Sequence, residues 1–234
     1  MKVELVTKST GLNRYSDLTV DEIIAAVARH SIIKDDNGKL VRFLIQHAHW
    51  SPMEHVHYTF LIETSRGIAM QILRHKSGHF QQTSTRYAKH GEIEPIEFRL
   101  SHESNRQSST EAVGIISPDF HIHPNEASNQ KQRDAMYSAA EALIRVQQAY
   151  DELLISGIAR ETARNILPIA TKTTLHFTAN LRDFLSFINV RCDEHAQKEI
   201  RDIATLIGEE LERIHPRSFS QLDWRKGMFM FVNI

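Results

Sequence analysis

Cysteine is nearly missing from this 234-residue chain: Cys192 stands alone. One thiol cannot build an internal disulfide framework or a cysteine zinc cluster. Glycine and proline are also sparse, at nine and six, and aromatics make up 8%, which excludes fibrous and low-complexity classes. No segment comes near the roughly 18 apolar residues of a membrane helix. The opening MKVELVTKST has no apolar signal-peptide core. No membrane partner is expected, and a cytoplasmic location is. An excess of one charge is absent too: 28 Lys and Arg face 29 Asp and Glu, a net charge of −1. Nucleic acid polymers are held by many surplus cations, so none is expected as a partner. What is present, 41% hydrophobic residues over a length common for one domain, fits a single domain spanning 1–234. Histidine is plentiful at 14, and it is the side chain suited to titration near neutrality and to metals.

Periodicity supplies a coarse map. Met1 to Thr7 alternates as a strand. Thr19-Val20-Asp21-Glu22 fits a capping box ahead of a helix through Ile23 to Val27. Asp36-Asn37-Gly38 reads as a turn, and Leu40, Phe43, Leu44 and His47 follow at helical spacing until Ser51-Pro52. Val56, Tyr58, Phe60 and Ile62 alternate as a strand. Gly67 to Lys76 reads as a helix burying Ile68, Ile72 and Leu73, and Glu92 to Leu100 as an edge strand. The polar stretch at about 101–133 reads as a long surface excursion. Helices are expected over Asp134–Ile155, Ile158–Leu167, Asp183–Val190 and Glu194–Ile214, with a strand over Thr171–Thr178. Such a mixture favours an α+β fold.

Neutrality overall conceals two acid-free stretches. Thr64 to Gly91 holds Arg66, Arg74, Lys76, Arg86 and Lys89 with no Asp or Glu, and Ala163 to Arg182 holds Arg164, Lys172 and Arg182. Arg191 follows. Cations gathered this way, beside the donors Gln81, Gln82, Thr83, Ser84 and Thr85, suit an anion pocket, because phosphate oxygens bind several N–H and O–H donors plus a guanidinium fork. A chance gap on solvated faces is the competing reading. Neither a Walker loop nor a GxGxxG turn occurs in the segment.

RHKSGHFQQTSTRY, Arg74 to Tyr87, resembles the signature of the flavin-dependent thymidylate synthases: Arg-His-Arg, seven residues, then Ser. Here it is Arg74-His75-Lys76, seven residues, then Ser84, with Arg86-Tyr87 following. His49-Trp50-Ser51-Pro52-Met53-Glu54-His55 resembles the family's His-x-Ser/Thr-Pro-x-Glu-His element. Ala163-Arg164, Leu167-Pro168, Asn180-Leu181-Arg182 and Arg191 with His195-Ala196-Gln197 keep the family's order, so the resemblance runs from about Leu44 to Arg201. Three positions depart from it. Lys76 replaces the third basic residue and lacks a planar fork. Gln81-Gln82 replaces the usual Asn-Glu and cannot act as a carboxylate. Ser186 stands where some members carry a longer side chain.

The resemblance implies an α+β fold with a curved antiparallel sheet and flanking helices. It also implies a homotetramer with active sites at subunit junctions. The implied reaction methylates deoxyuridine monophosphate (dUMP) at C5, with methylenetetrahydrofolate as carbon donor and NADPH as reductant through FAD. By resemblance Gln71, Arg74, Gln82, Ser84, Arg86, Arg164 and Arg191 hold the nucleotide, and Arg191 is the catalytic residue, stabilising charge on the pyrimidine. His49, Ser51, Glu54, Arg74, His75, Lys76, Gln82, Asn180 and Arg182 would contact FAD. Read alone, Arg191 would be a surface ion pair with Asp193 or Glu194, and Asn180 a helix cap. His47, His49, His55 and His57 with Glu54 invite a metal reading, yet His49 and His55 already belong to the family element, and no metal is expected. Rivals are an altered member acting on a related pyrimidine nucleotide, a histidine-metal nucleotide hydrolase and a non-catalytic nucleotide binder. Lys76→Arg, which restores the fork, is expected to keep or tighten FAD binding in a flavin titration; markedly weaker binding would show a lysine fitted to its own surroundings.

Overall fold

In a computed structural model of the chain, residues 1–32, 38–89, 91–105, 108–219 and 222–227 are described. Part of the Asp36-Asn37-Gly38 turn and residues 228–234 therefore lie outside the described residues. The elements are β1 (Lys2–Lys8), α1 (Val20–Arg29), α2 (Lys39–Gln46), β2 (His57–Ser65), α3 (Arg66–Ile72) and β3 (His79–Gln82). Next come β4 (Ile96–Ser101), β5 (Ser109–Ile116), β6 (Ile122–Pro124), α4 (Gln130–Ile155) and α5 (Arg160–Ala163). β7 (Lys172–Asn180), α6 (Leu181–Arg191), α7 (Lys198–Ile214) and α8 (Pro216–Phe219) complete the order. A four-stranded sheet runs β1-β2-β7-β3, and an antiparallel three-stranded sheet runs β4-β5-β6. The fold is α+β, as the sequence pattern predicts.

The chain divides into two compact units. One comprises Met1, Glu63–Met70 and Gln82–Thr174; the other comprises Lys2–Ile62, Gln71–Gln81 and Leu175–Ile234. The second carries the large apolar core. Thr19 caps α1 with a reciprocal capping box, its side chain accepting from Glu22 N–H while the Glu22 carboxylate accepts from Thr19 N–H. Such a cap contributes about 1 kcal/mol. Tyr58 and Phe60 of β2 and Phe177 of β7 alternate inward, and Phe184, Leu185, Phe187 and Ile188 of α6 pack on them, all essentially fully buried. A polar knot sits inside this unit. The Asp21 carboxylate accepts from His215 Nδ1 at 2.5 Å and from Ser218 Oγ at 2.9 Å, and the Tyr58 hydroxyl lies 2.6 Å from His215 Nε2. Burial and the Asp21 charge push the Tyr58 pKa upward, so the hydroxyl keeps its proton.

In the first unit Ile93, Ile116 and Ala140 form a smaller core, with Ile96, Phe98, Ile122 and Leu143 packed around it. This corrects the reading of 101–133 as a loop. β5 and β6 lie within it, and α4 begins at Gln130 under an Asn129–Gln132 capping box. β6 has only three residues, and β5 opens on the exposed Ser109, Thr110 and Glu111, so polar composition hid both. Three further expectations change. Leu73 lies beyond the end of α3 and is exposed. The Ile158–Leu167 helix shrinks to the four residues of α5 plus a 3-10 turn at Arg164–Ile166. Gln81 and Gln82, read as the start of a row of donors, lie in strand β3.

Gly208, inside α7, is dictated by packing. A Cβ there would fall 2.3 Å from Trp224 Cζ3 in the buried indole. Alanine usually improves a helix by up to about 1 kcal/mol over glycine, yet overpacking costs about 1–3 kcal/mol. Gly208→Ala is therefore expected to lower the urea midpoint; an unchanged or raised midpoint would show that Trp224 moves aside freely.

Candidate active site

The second unit holds His49, Ser51, Glu54, Gln71, Arg74, His75, Lys76, Asn180, Arg182 and Arg191; the first holds Gln82, Ser84, Arg86 and Arg164. Within the second unit, α3 ends at Ile72, and Arg74, His75 and Lys76 occupy the turns that follow. The chain closes with His75 N–H donating to Ile72 O at 3.1 Å and Gly78 N–H to His75 O at 3.1 Å. Glycine is needed at 78, where a Cβ would meet the Phe177 ring at 2.4 Å. Turn and strand thus approach closely, and the basic tripeptide is seated on the aromatic core.

Arg191, the last residue of α6, reaches back to this turn. Its Nε donates to His75 Nε2 at 3.0 Å and its Nη2 to Gln71 O at 3.3 Å. Among the described residues it forms no ion pair, and Asp193, its expected partner, accepts from His195 N–H instead. The half-buried guanidinium is held by neutral groups. Burial lowers the Arg191 pKa. Burial, and secondarily the Arg191 charge, pulls His75 down to about 4. The His75 ring also meets Phe187 edge-on, with centroids 4.8 Å apart. Gln71 Nε2 donates to Gln197 Oε1 at 2.7 Å. Gln197 belongs to the His195-Ala196-Gln197 element, to which the sequence reading gave no site role; that motif was the available signal.

Asn180 does cap α6, its Oδ1 accepting from Asp183 N–H at 2.9 Å. Two residues on, Arg182 pairs with Glu54 across exposed surface. His49 and Ser51 are exposed in the segment between α2 and β2. Cys192 follows Arg191, is buried, and has its pKa raised by burial to about 11. Among the described residues no group of three or more His, Cys, Asp and Glu could hold a metal ion.

The first unit gathers its own set. Arg164 donates to Thr85 Oγ1 at 3.2 Å and to Glu161 O at 3.3 Å. Arg86 pairs with Glu161 at 3.0 Å, with both side chains more than half exposed; such a pair is worth about 0–1 kcal/mol and yields readily to a better anion. Ser84 Oγ accepts from Arg86 N–H at 3.3 Å, and Gln82 Nε2 donates to Thr173 Oγ1 at 3.0 Å. A separate cleft of about 320 Å³ lies between Glu63, Lys89, Glu92 and Lys172. It contains Thr83, Lys89 and Lys172 of the acid-free stretches but none of the residues that the family resemblance assigns to the nucleotide or FAD, and its lysines are paired, Lys172 with Glu63 and Lys89 with Asp151.

Within the second unit an arginine gripped by neutral partners thus stands next to a buried thiol of raised pKa. Residues 13–217 match the family model described as thymidylate synthase complementing protein. The chain is 37% identical over 210 residues to a flavin-dependent thymidylate synthase from Synechocystis sp., covering 88% of this chain and 91% of that protein. It is 34% identical over 212 residues to a probable flavin-dependent thymidylate synthase of Paramecium bursaria Chlorella virus 1, covering 88% and 92%. The fold matches a crystal structure of PolB, a UMP/dUMP methylase from Streptomyces cacaoi bound with 5-Br UMP, with a TM-score of 0.74, 26% identity, and 94% and 92% of the two chains covered. The chain belongs to the flavin-dependent thymidylate synthase family, and it is an enzyme of that type.

A histidine whose folded pKa of about 4 lies below its ordinary 6.5 resists protonation in the folded state. The unfolded chain takes up that proton first, so this contribution is full above pH 6.5 and is lost as pH falls toward 4. His75→Gln is expected to flatten the fall in stability across that window relative to the parent, measured by denaturation at stepped pH; parallel profiles would refute the buried, depressed imidazole.

Proposed function

We propose that the chain catalyses reductive methylation of dUMP to thymidylate, with methylenetetrahydrofolate as carbon donor and NADPH as reductant through bound FAD. The observation that carries this reading is Arg191: a half-buried guanidinium with no carboxylate among the described residues, its Nε and Nη2 taken and its Nη1 unclaimed. A cation kept free of counter-ions in partly dry surroundings is suited to oxygen that gains negative charge during reaction. Arg191 would meet the pyrimidine, while Gln71, Arg74, Gln82, Ser84, Arg86 and Arg164 would hold the nucleotide. Arg86 and Arg164 lie close enough to share Glu161, so they form a pair suited to a phosphate.

The residues present fit a flavin dinucleotide. Arg74 and Lys76 are exposed and carry no ion pair among the described residues, which leaves two cations for an anionic diphosphate. His49, Ser51, Glu54, His75, Gln82, Asn180 and Arg182 would complete its contacts. Hydride transfer is the chemistry that bound FAD supplies. Cys192, with its thiol held protonated, is unsuited to attack the pyrimidine, which supports a route free of a thiol nucleophile. The same reading makes the protein a homotetramer. Tyr87 and Ile169, 79% and 74% exposed, are apolar surface for a neighbouring copy to cover. A second reading, action on a related uracil nucleotide, is favoured by Gln81-Gln82 in the signature and by the PolB likeness.

Incubation with dUMP, methylenetetrahydrofolate and NADPH is expected to yield thymidylate by mass spectrometry. Consumption of UMP in its place would establish the second reading. Arg191→Ala is expected to lower turnover by about a hundredfold or more with flavin content retained; loss of flavin at unchanged activity per bound flavin would contradict Arg191 acting on the pyrimidine.

A further inference from the structure

We propose that His75 is a positioning residue for Arg191: its bare Nε2 accepts the Arg191 Nε–H and so fixes the guanidinium with the Nη1 end left as the fork for the nucleotide. The proposal rests on the reaction assigned above, and it gives His75 a task in addition to flavin contact.

An arginine side chain only donates. The atom facing Arg191 Nε at 3.0 Å must therefore be an acceptor, so the ring proton sits on Nδ1. The ring cannot swivel freely, because Phe187 meets it edge-on at 71° and its own backbone N–H is tied to Ile72 O. Phe187 is fully buried and meets Phe177 edge-on in turn, so the imidazole is braced by the core. A second grip comes from the same turn of chain, where Gln71 O accepts from Nη2. Gln71 is itself pinned by Gln197. Residues 71 and 75 thus hold two of the three nitrogens of one planar group, and Nη1 has no partner among the described residues. A guanidinium oriented in advance loses less freedom when a ligand arrives. The depressed basicity of His75 agrees with this: a protonated ring would place N–H against N–H and release the arginine.

Isotope-labelled holoenzyme in long-range proton–nitrogen NMR tests the pairing without any turnover. His75, assigned by loss of its signals in His75→Gln, is expected as the Nδ1–H tautomer, with an Nε2 resonance that shifts on Arg191→Lys. An Nε2–H tautomer, or indifference to Arg191→Lys, would overturn the proposal. Two variants separate positioning from packing. His75→Phe keeps the ring against Phe187 but has no acceptor, and is expected to weaken dUMP binding about tenfold when compared per bound flavin. His75→Gln sets a carbonyl oxygen near the place of Nε2 and is expected, on the same per-flavin basis, to stay within about threefold of the parent. Equal losses in both variants, or a loss explained wholly by missing flavin, would overturn it as well. If the parent itself binds no dUMP, the assigned reaction fails, and the NMR result alone then decides the His75–Arg191 contact.

Discussion

Burial of α6 is the constraint on which the rest of the second unit turns. Six of its residues are buried, among them Phe184, Leu185, Phe187 and Ile188 at full burial, so the helix has one seat and one rotation. Polar groups stand at its two ends. Asn180 caps its start, Arg182 stands in the first turn and Arg191 closes the last, roughly 16 Å from the start at 1.5 Å per residue. Because dense apolar packing tolerates little shift, those polar groups inherit a fixed separation. Phe187 extends the same constraint outward, touching Phe177 on one side and His75 on the other.

Charge is managed differently on exposed cations and on a half-buried one. Exposed cations find carboxylates: Arg86 has Glu161 and Arg182 has Glu54. These contacts are weak in water, and a multiply charged ligand displaces them at little cost. Arg191, more buried, is given a carbonyl and an imidazole. Neutral acceptors satisfy hydrogens without cancelling charge, so the guanidinium keeps its field for whatever oxygen comes near. The overall neutrality of the chain is therefore no guide to the site. Some of its acids are spent well away from Arg191, among them Asp21, locked with His215 and Ser218 inside the core.

Legibility in the sequence followed the strength of local signals. The Thr19 capping box, the alternation of β2 and β7 and the Asn180 cap were written in adjacent residues, and the structure keeps each of them. β3 and β6 escaped because they are short, and β5 because it opens on the exposed Ser109, Thr110 and Glu111; β3 moreover pairs with β7, far along the chain. Ile158–Leu167 had helical pattern but stopped early, since seven of its residues are exposed and little burial holds them. The family motifs marked Gln71, His75 and Arg191 one by one. Nothing local joined them: His75 and Arg191 are 116 positions apart, and Gln71 uses a backbone carbonyl, which no side-chain motif records.

The quiet state of Cys192 has a practical side. With a pKa near 11 in a buried setting, on the order of one thiol in ten thousand is ionised at neutral pH. Maleimides and mild oxidants would pass it by. A cysteine introduced on the surface would then be the only reactive sulfur, so a spin label or fluorophore could be attached at one chosen point without first removing the native thiol.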